Sequence, residues 1–598
     1  MGVRVPPVEA AVAAGAVELL PARLRKRLEG VVDKARSWAV SEGDEGSVRV
    51  AVDDETAVLL RPGPGGTVTD GEAVTCSCLL APACLHRAAV LSIAPLAEAT
   101  PGPEQAAVEA RTEGEAEDRL AEGDPSAAEQ VPAAQRGAAA ALWDAGVAAL
   151  CAGAAAASLA RAALLHAAHA ARLAGLHRPA ASAVRVARRL AEAREGDSAF
   201  RLGELTQDLA ALLDEARTVR EAEDAAAARE AVGTARRTYE QAGSLRLYGL
   251  FTEPVVTASG YAGATAYAVT GEGAIRSVSV VQPGGPERVA PSAGARVPGG
   301  AALSLRQLGR GGGLIVTGTT LTGDGRVGGG ASVRSVAATG AGWEQAPLDG
   351  LWARPVAAQV RAALAWQAEP VDDRPAGGDL LFLTGTVTSL GGLPALAVHP
   401  GPGSAVEDVL GPVVILHSPD ERPELPYTAN LRALAGRRGA TIRLIARLVP
   451  DRPAGVAALA LCPAGGEPVD LGLERLIPGR LGGGADGPRA VAGRPLALPP
   501  VEWDLLSRTV ARTALGGRAV AAAAADPGLP RRLRAAGLPT AAACADALTT
   551  ATRARHADAL GTMLPADPDA FALAWLTAAV YVGATAREFT AEAWEAAD

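Results

Sequence analysis

The stretch that most constrains this chain is Cys76-Ser77-Cys78, then five residues, then Cys84-Leu85-His86. The sequence holds six cysteines and seven histidines, and four of them fall between positions 76 and 86. Three thiolates and one imidazole make a closed four-donor set for Zn²⁺. That ion takes soft S and N donors in a tetrahedron, and with no position left for water such a site is structural. The run Val74-Thr75-Cys76-Ser77-Cys78 alternates like a strand, which turns both C-x-C side chains to one face. Ala88-Ala89-Val90-Leu91 reads as the first turns of a helix. The spacing therefore predicts one structural zinc held by Cys76, Cys78, Cys84 and His86, the last pair closing the site from the helix entrance. Neighbouring C-x-C thiols are poorly placed to form a disulfide with each other.

This arrangement resembles the SWIM zinc finger, whose pattern is C-x-C, a variable spacer, then C-x-H on a β-β-α unit. The match is residue for residue at Cys76, Cys78, Cys84 and His86, with a spacer of five that is short for that family. The runs Ser47-Val-Arg-Val-Ala-Val52 and Thr56-Ala-Val-Leu-Leu60 supply flanking strands. The whole layout looks like that of long SWIM-finger proteins of GC-rich actinobacteria, and the resemblance extends to Leu247-Tyr-Gly-Leu-Phe-Thr-Glu-Pro254 and Gly260-Tyr261. It implies a zinc-binding protein working beside AAA+ ATPases and von Willebrand A-type (VWA) proteins. SWIM fingers have been associated with DNA as well as protein partners.

At 598 residues the chain is too long for one core. Lys26 and Lys34 are the only lysines, so no P-loop, kinase-type or Schiff-base lysine exists beyond position 34. A formal net charge of −9 argues against the whole chain coating nucleic acid, while leaving room for a local basic patch. The N-terminus, with Glu9, Glu18 and Pro6-Pro7, does not read as a secretory signal. No uninterrupted apolar run reaches bilayer length, and Phe571 to Ala586, broken by threonine and glycine, reads as a buried helix. These features lead to the expectation of a cytoplasmic, reducing location without membrane contact, which favours zinc over a disulfide.

In chain order the expected organisation is multidomain α+β. Residues 1–95 form the finger module, with a basic helix over Pro21 to Trp38. Residues 96–135, rich in Glu, Ala, Pro and Gly, form a self-repelling acidic linker that leaves the finger tethered. Residues 136–244 are alanine-rich and helical, with breaks at Gly175 to Pro179 and at Gly196-Asp197. His166, His169 and His177 read as ordinary surface or core histidines, and Arg185, Arg188, Arg189 and Arg194 as a solvated basic side paired with nearby glutamates.

At Leu245 the period changes toward two, so 245–500 reads as a β-rich barrel or sandwich region of two related subdomains, with a helix from Trp352 to Trp366 between them. The segments Leu314 to Gly323 and Leu381 to Leu390 resemble each other, and an OB-like barrel is one fold that fits. Gly323-Asp-Gly-Arg-Val-Gly328 matches G-x-G-x-x-G, but a strand follows it in place of a helix, so Asp324-Gly325 reads as a tight hairpin turn. Residues 501–598 are helical again, with Asp567 capping a helix that Pro568 opens. Cys544 reads as a small apolar residue.

No catalytic constellation stands out, and a Cys462–His417 dyad is disfavoured against a buried strand cysteine. The expected function is therefore a non-catalytic zinc-binding interaction or adaptor protein with protein partners, within an AAA+ ATPase or VWA-associated system as the resemblance implies. The alternative is nucleic-acid binding, in which Arg87 and the basic helix from Arg23 to Arg36 contact phosphates. Arg87 has a second reading, as the cation that offsets a zinc–trithiolate centre.

Overall fold

The computed structural model describes residues 4–25, 27–97, 130–198, 200–234, 239–257, 260–329, 332–400, 410–449, 452, 454–481, 493–554, 556–557, 563–564 and 567–596. Most of the acidic stretch, at 98–129, lies outside the described residues. The fold is mixed α+β and multidomain, with helical regions at both ends of the β-rich stretch. The chain divides into two compact units, Met1–Ala235 with Glu502–Tyr581, and Arg236–Val501 with Val582–Asp598.

The first unit begins with helix Ala10–Glu18. The helix expected over Pro21 to Trp38 forms as two pieces, Ala22–Arg25 and Leu28–Ala35. An antiparallel sheet follows in sequential order: β1 (Ala39–Glu42), β2 (Val48–Ala51), β3 (Ala57–Leu60) and β4 (Val74–Cys76). Its alternation puts Val50, Val58, Leu60 and Val74 into the core. Cys76 stands directly opposite the fully buried Val58, so it shares that inward face. Helix Leu85–Ile93 completes the finger. Its Ala88 and Ala89 pack with Val17, Leu20, Leu28, Val32 and Ala35, and Leu159 and Ala162 of the following helical array join them.

That array comprises Ala133–Ala152, Ala157–Leu173, His177–Glu195, Leu202–Glu221 and Ala225–Val232, followed late in the chain by Val501–Ala524, Leu529–Ala535, Pro539–Arg553 and the start of Pro568–Glu595. Alanine at the contact positions lets helix axes approach closely, and Ala139, Ala171, Ala183, Ala187 and Ala216 are fully buried. On the arginine side of His177–Glu195 only part of the expected glutamate pairing appears: Arg189 meets Glu192 at 3.0 Å and Glu204 at 2.5 Å, whereas Arg185 meets Asp208 at 3.1 Å and Arg194 meets Asp33 at 2.9 Å. Among the described residues, Ala133–Leu173 and Pro568–Glu595 are long and apolar enough to cross a membrane, with 56% and 39% of their most apolar windows buried. Neither is an uninterrupted apolar run, so the criterion of 18 consecutive apolar residues passes over both. The first changes direction at Gly153. Trp143 donates to Asp569 at 2.9 Å and Trp575 to the Val510 carbonyl at 3.0 Å, which ties both stretches to the helical core.

The second unit contains two sheets of the same plan. In the first, strands Leu245–Val256, Tyr261–Thr270 and Ile275–Pro283 form a meander, helices Val289–Gly294 and Leu305–Gly309 follow, and strands Gly313–Thr317 and Arg334–Ala338 return. Across the sheet the strands run fifth, fourth, first, second, third. In the second, strands Leu380–Leu390, Leu393–Val398 and Leu410–His417 precede helix Tyr427–Ala435 and strands Thr441–Leu448 and Gly455–Pro463, in the same order across the sheet. Here the third and fifth strands also pair in parallel at Ile415 with Gly455 and Leu416 with Val456, closing a five-stranded barrel with OB-type connectivity.

The two resembling segments are not equivalent in this plan. Leu314 lies in the fourth strand of its sheet and Leu381 in the first strand of the other. A Leu/Thr-rich alternating run ending in glycine is what any such strand needs, so local likeness did not report position.

Asp324-Gly325 is the expected tight turn. The Gly325 N–H donates to the Thr322 carbonyl at 2.8 Å, and no helix follows. The sheets pack through Phe251, Tyr267 and Val269 of one against Leu380, Phe382, Ile445 and Leu459 of the other, with Trp343 and Trp352 between them. A partly buried ion network spans the same contact. Arg447 bonds Glu253 at 2.6 and 3.1 Å and Asp379 at 2.5 Å, while Tyr267 donates to Glu253 at 2.7 Å.

Candidate metal centre

Each of the four predicted ligands owes its place to a different local cause. Strand β4 ends at Cys76, and the Ser77 N–H donates to the Ala57 carbonyl at 3.0 Å, which keeps the chain against β3 for one more residue. Cys78 thus lies just past the strand and opens the turn that the Ala81 N–H closes onto its carbonyl at 3.2 Å. Cys84 is the N-cap of helix Leu85–Ile93, where its sulfur accepts the Arg87 N–H at 3.4 Å. His86 falls in the first helical turn, and the Trp38 ring packs edge-on against it at 6.0 Å.

The four donor atoms lie within 4.8 Å of one another, with Cys76 Sγ and His86 Nδ1 at 4.0 Å. They form a group that can hold one metal ion, and among the described residues no second group of this kind occurs. Cys84 is 1% exposed and the other three are half-buried. A hydrogen bond shared with Cys76 lowers the Cys84 thiol below the ordinary thiol range, and the Arg87 N–H adds to this against the opposing effect of burial. The same bond raises Cys76. A sulfur at a helix N-terminus is also favoured as thiolate by the aligned peptide dipoles.

Arg87 does not face solvent. Its side chain is 5% exposed and donates to the carbonyls of Val74 at 3.0 Å, Gly71 at 2.8 Å and Pro82 at 3.3 Å. It clamps the start of β4, the turn before it and the loop between the ligand pairs. Burial lowers its pKa, while the nearby Cys84 and Cys76 sulfurs oppose that shift. Sequence reasoning had placed Arg87 beside the site as phosphate contact or counter-charge, and its position fits the counter-charge.

The expected basic helix is partly tied up within its own unit. Arg25 donates to the Leu20 carbonyl at 2.9 Å, Arg36 lies 3.8 Å from Glu195, and Asp33 accepts from Arg194 at 2.9 Å. Arg23 and Arg27 are exposed.

The remaining candidates fall elsewhere. His166 is exposed and lies 3.4 Å from Glu18, and His169 is exposed on the same helix. Cys462 is buried, its thiol pushed up to about 11 by desolvation, and it faces the carbonyls of Pro463 and Gly466. His417 pairs in register with Ala457, five residues along the strand from Cys462, and meets Arg452 at 2.9 Å, so no thiol–imidazole dyad forms. Cys544 is buried beside Ala541, Ala545 and Leu548 of its helix, as its isolation in sequence implied.

Two residues that sequence reasoning missed hold the finger in place. Trp38 covers His86. Arg161, 6% exposed, donates to the Ala94 carbonyl at 2.9 Å and to the Ser92 carbonyl, capping the finger helix from the helical array. The finger is therefore packed on the array and does not hang from a tether. An arginine inside an alanine-rich helix was the available signal, but its partner lies 67 residues away. Compared with protein-family models, with curated proteins and with solved structures, the chain matches none.

Proposed function

We propose that Cys76, Cys78, Cys84 and His86 hold one structural Zn²⁺ and that the chain is a non-catalytic, cytoplasmic adaptor whose finger, helical and β surfaces meet protein partners. The observation that carries this is the convergence of three sulfurs and one imidazole nitrogen within 4.8 Å. The donor chemistry suits zinc: the set is soft, numbers four, and completes a tetrahedron without water, so the metal would fasten the loop and perform no reaction. The ligand order on a hairpin followed by a helix supports the SWIM-type reading. The AAA+ ATPase or VWA-type partner rests on the sequence resemblance alone.

The inward clamp of Arg87 and the OB-type barrel both weigh toward protein partners. The outer face of the barrel's second and third strands, where such folds take oligonucleotides, presents Ala395, Ala397 and Val413 as a small buried patch. The added strand Gly493–Pro495 pairs with the third strand beside it, and none of these three strands carries a Phe, Tyr or Trp for base stacking. Among the described residues the nucleic-acid reading retains the exposed Arg23, Arg27 and Lys34.

The test has two parts. Elemental analysis of the purified full chain should give one zinc per chain, lost in Cys78→Ser. A pull-down from native cells should keep its protein companions after nuclease treatment. Zinc-free wild-type protein, or companions that vanish with nuclease, would sink the reading.

A further inference from the structure

The loop between the two ligand pairs carries the most exposed large apolar side chains of the finger. Leu79 is 103% exposed and Leu80 60%, and Ala81 and Pro82 beside them are also exposed. Water-facing adjacent leucines have no folding role, since neither covers any core. The structure nonetheless holds them in a set pose. Cys78 and Cys84 bracket the loop, and Arg87 grips the Pro82 carbonyl from below at 3.3 Å. A loop ordered before binding loses little further entropy when a partner covers it.

The surroundings of this knuckle are acidic on both flanks. On one side the β2–β3 turn carries exposed Asp53, Asp54 and Glu55. It is bound to the residue before Cys78, since Ser77 Oγ accepts the Ala57 N–H at 2.9 Å and donates to the Glu55 carbonyl at 3.3 Å. On the other side Arg87 joins Pro82 to Gly71, which exposed Asp70 and Glu72 flank. Arg87 itself is buried, and the exposed cations of the sheet are Arg49 and Arg61. A Zn²⁺ with three thiolates would add a net charge of about −1. A polyanion is disfavoured at such a surface, whereas a cationic rim around an apolar cleft is complementary to it.

We propose that the Leu79-Leu80 knuckle is a docking element that inserts into an apolar cleft of a partner protein, with Lys and Arg side chains at the rim of that cleft facing the Asp53-Asp54-Glu55 and Asp70/Glu72 turns. This rests on the adaptor reading and names the chemistry of its partner. Burying two leucines is worth at least a factor of ten in affinity each when the cleft fits. Mutual attraction of the charged rims makes binding weaken moderately as salt rises.

The experiment uses the full chain with p-benzoylphenylalanine at position 79, irradiated in its native cells. The crosslinked peptide is located on the partner, and the dissociation constant is measured for that purified partner. The expected result is a crosslink to an apolar cleft rimmed by Lys or Arg. Leu79→Ser with Leu80→Ser should then weaken binding at least about a hundredfold at unchanged zinc content, and Asp53→Lys with Glu55→Lys should weaken it severalfold. A crosslink to nucleic acid, to an acid-rimmed surface or to nothing overturns the proposal, as does unchanged affinity in the serine pair. If companions still co-purify with the serine pair, the adaptor reading stands and the knuckle is not its docking element.

Discussion

Cys84 serves the finger twice, as a member of the four-residue group that can hold a metal ion and as cap of the helix that follows it. Arg87, three residues on, ties the pieces around the site together through three carbonyls. Arg87→Ala would leave those carbonyls short of a donor inside the fold, so we expect the finger to lose about 2–3 kcal/mol. Zinc release on titration with a chelator should then begin at lower chelator concentration than in wild type.

A second residue-scale prediction concerns Asp470, whose carboxylate burial raises to about 7, against a lowering hydrogen bond from the Thr252 N–H at 3.0 Å. Its other oxygen has no hydrogen-bond partner. Because the folded form holds the proton more tightly than an unfolded chain, with its pKa of about 3.9, it carries the extra proton between roughly pH 4 and 7. Stability of the β-rich unit should therefore fall as pH rises through that window, by at most about 1.4 kcal/mol per pH unit, and flatten above it. Asp470→Asn keeps the acceptor for Thr252 and should remove the slope. Hydrogen exchange of the Thr252 and Leu461 amides across that range measures it, and an unchanged slope in the variant would refute the assignment.

At the scale of elements, the helical unit has a joint in which backbone meets backbone. Gly153 ends helix Ala133–Ala152 with φ +65°, and Gly517 interrupts Val501–Ala524 with φ +72°. A Cβ on Gly153 would lie 2.6 Å from Gly517 N and from the Leu515 carbonyl, and one on Gly517 would lie 2.5 Å from the Cys151 carbonyl. Either alanine substitution combines a disfavoured φ with a clash against rigid backbone, so we expect a loss of about 3 kcal/mol or more. A shift in the thermal transition of the helical signal, with the β signal unchanged, is the readout. Alanine at exposed Gly137, which has open space around it, is the control and should stabilise slightly.

The elements themselves were largely legible: the helices expected over 136–244, which run to Val232 before strand Tyr239–Ala242 pairs with Thr319–Thr322, the alternation from Leu245, and the tight turn at Asp324-Gly325. Strand placement was not, because Leu314 and Leu381 satisfy the same local requirements in different positions of their sheets.

Across the whole molecule, the finger does not behave as an appendage. Its helix is buried against Leu28 and Val32 on one side and reaches Leu159 and Ala162 of the array on the other, with Arg161 capping its end. Metal removal should therefore have a graded effect. Much of the folding free energy of a small metal-held unit comes from the ion. Amides near 47–92 should lose exchange protection first, those of Ala157–Leu173 partly, and those of the β-rich unit not at all. Equal loss everywhere, or none in the finger, would contradict this. Arg161→Ala should produce the same partial loosening of Ala157–Leu173 with zinc still bound.

By itself the sequence determined which four residues converge into a group able to hold a metal, the helical and β stretches and the turn residues, because each depends on spacing or on backbone chemistry within a few residues. The tertiary structure alone decided that Arg87 turns inward, that Arg161 caps a helix 67 residues away, that two glycines 364 positions apart interlock and that two sheets share one strand order. These depend on which distant surfaces exclude water together, and no local pattern of residues encodes a partner that the chain reaches only once it is folded.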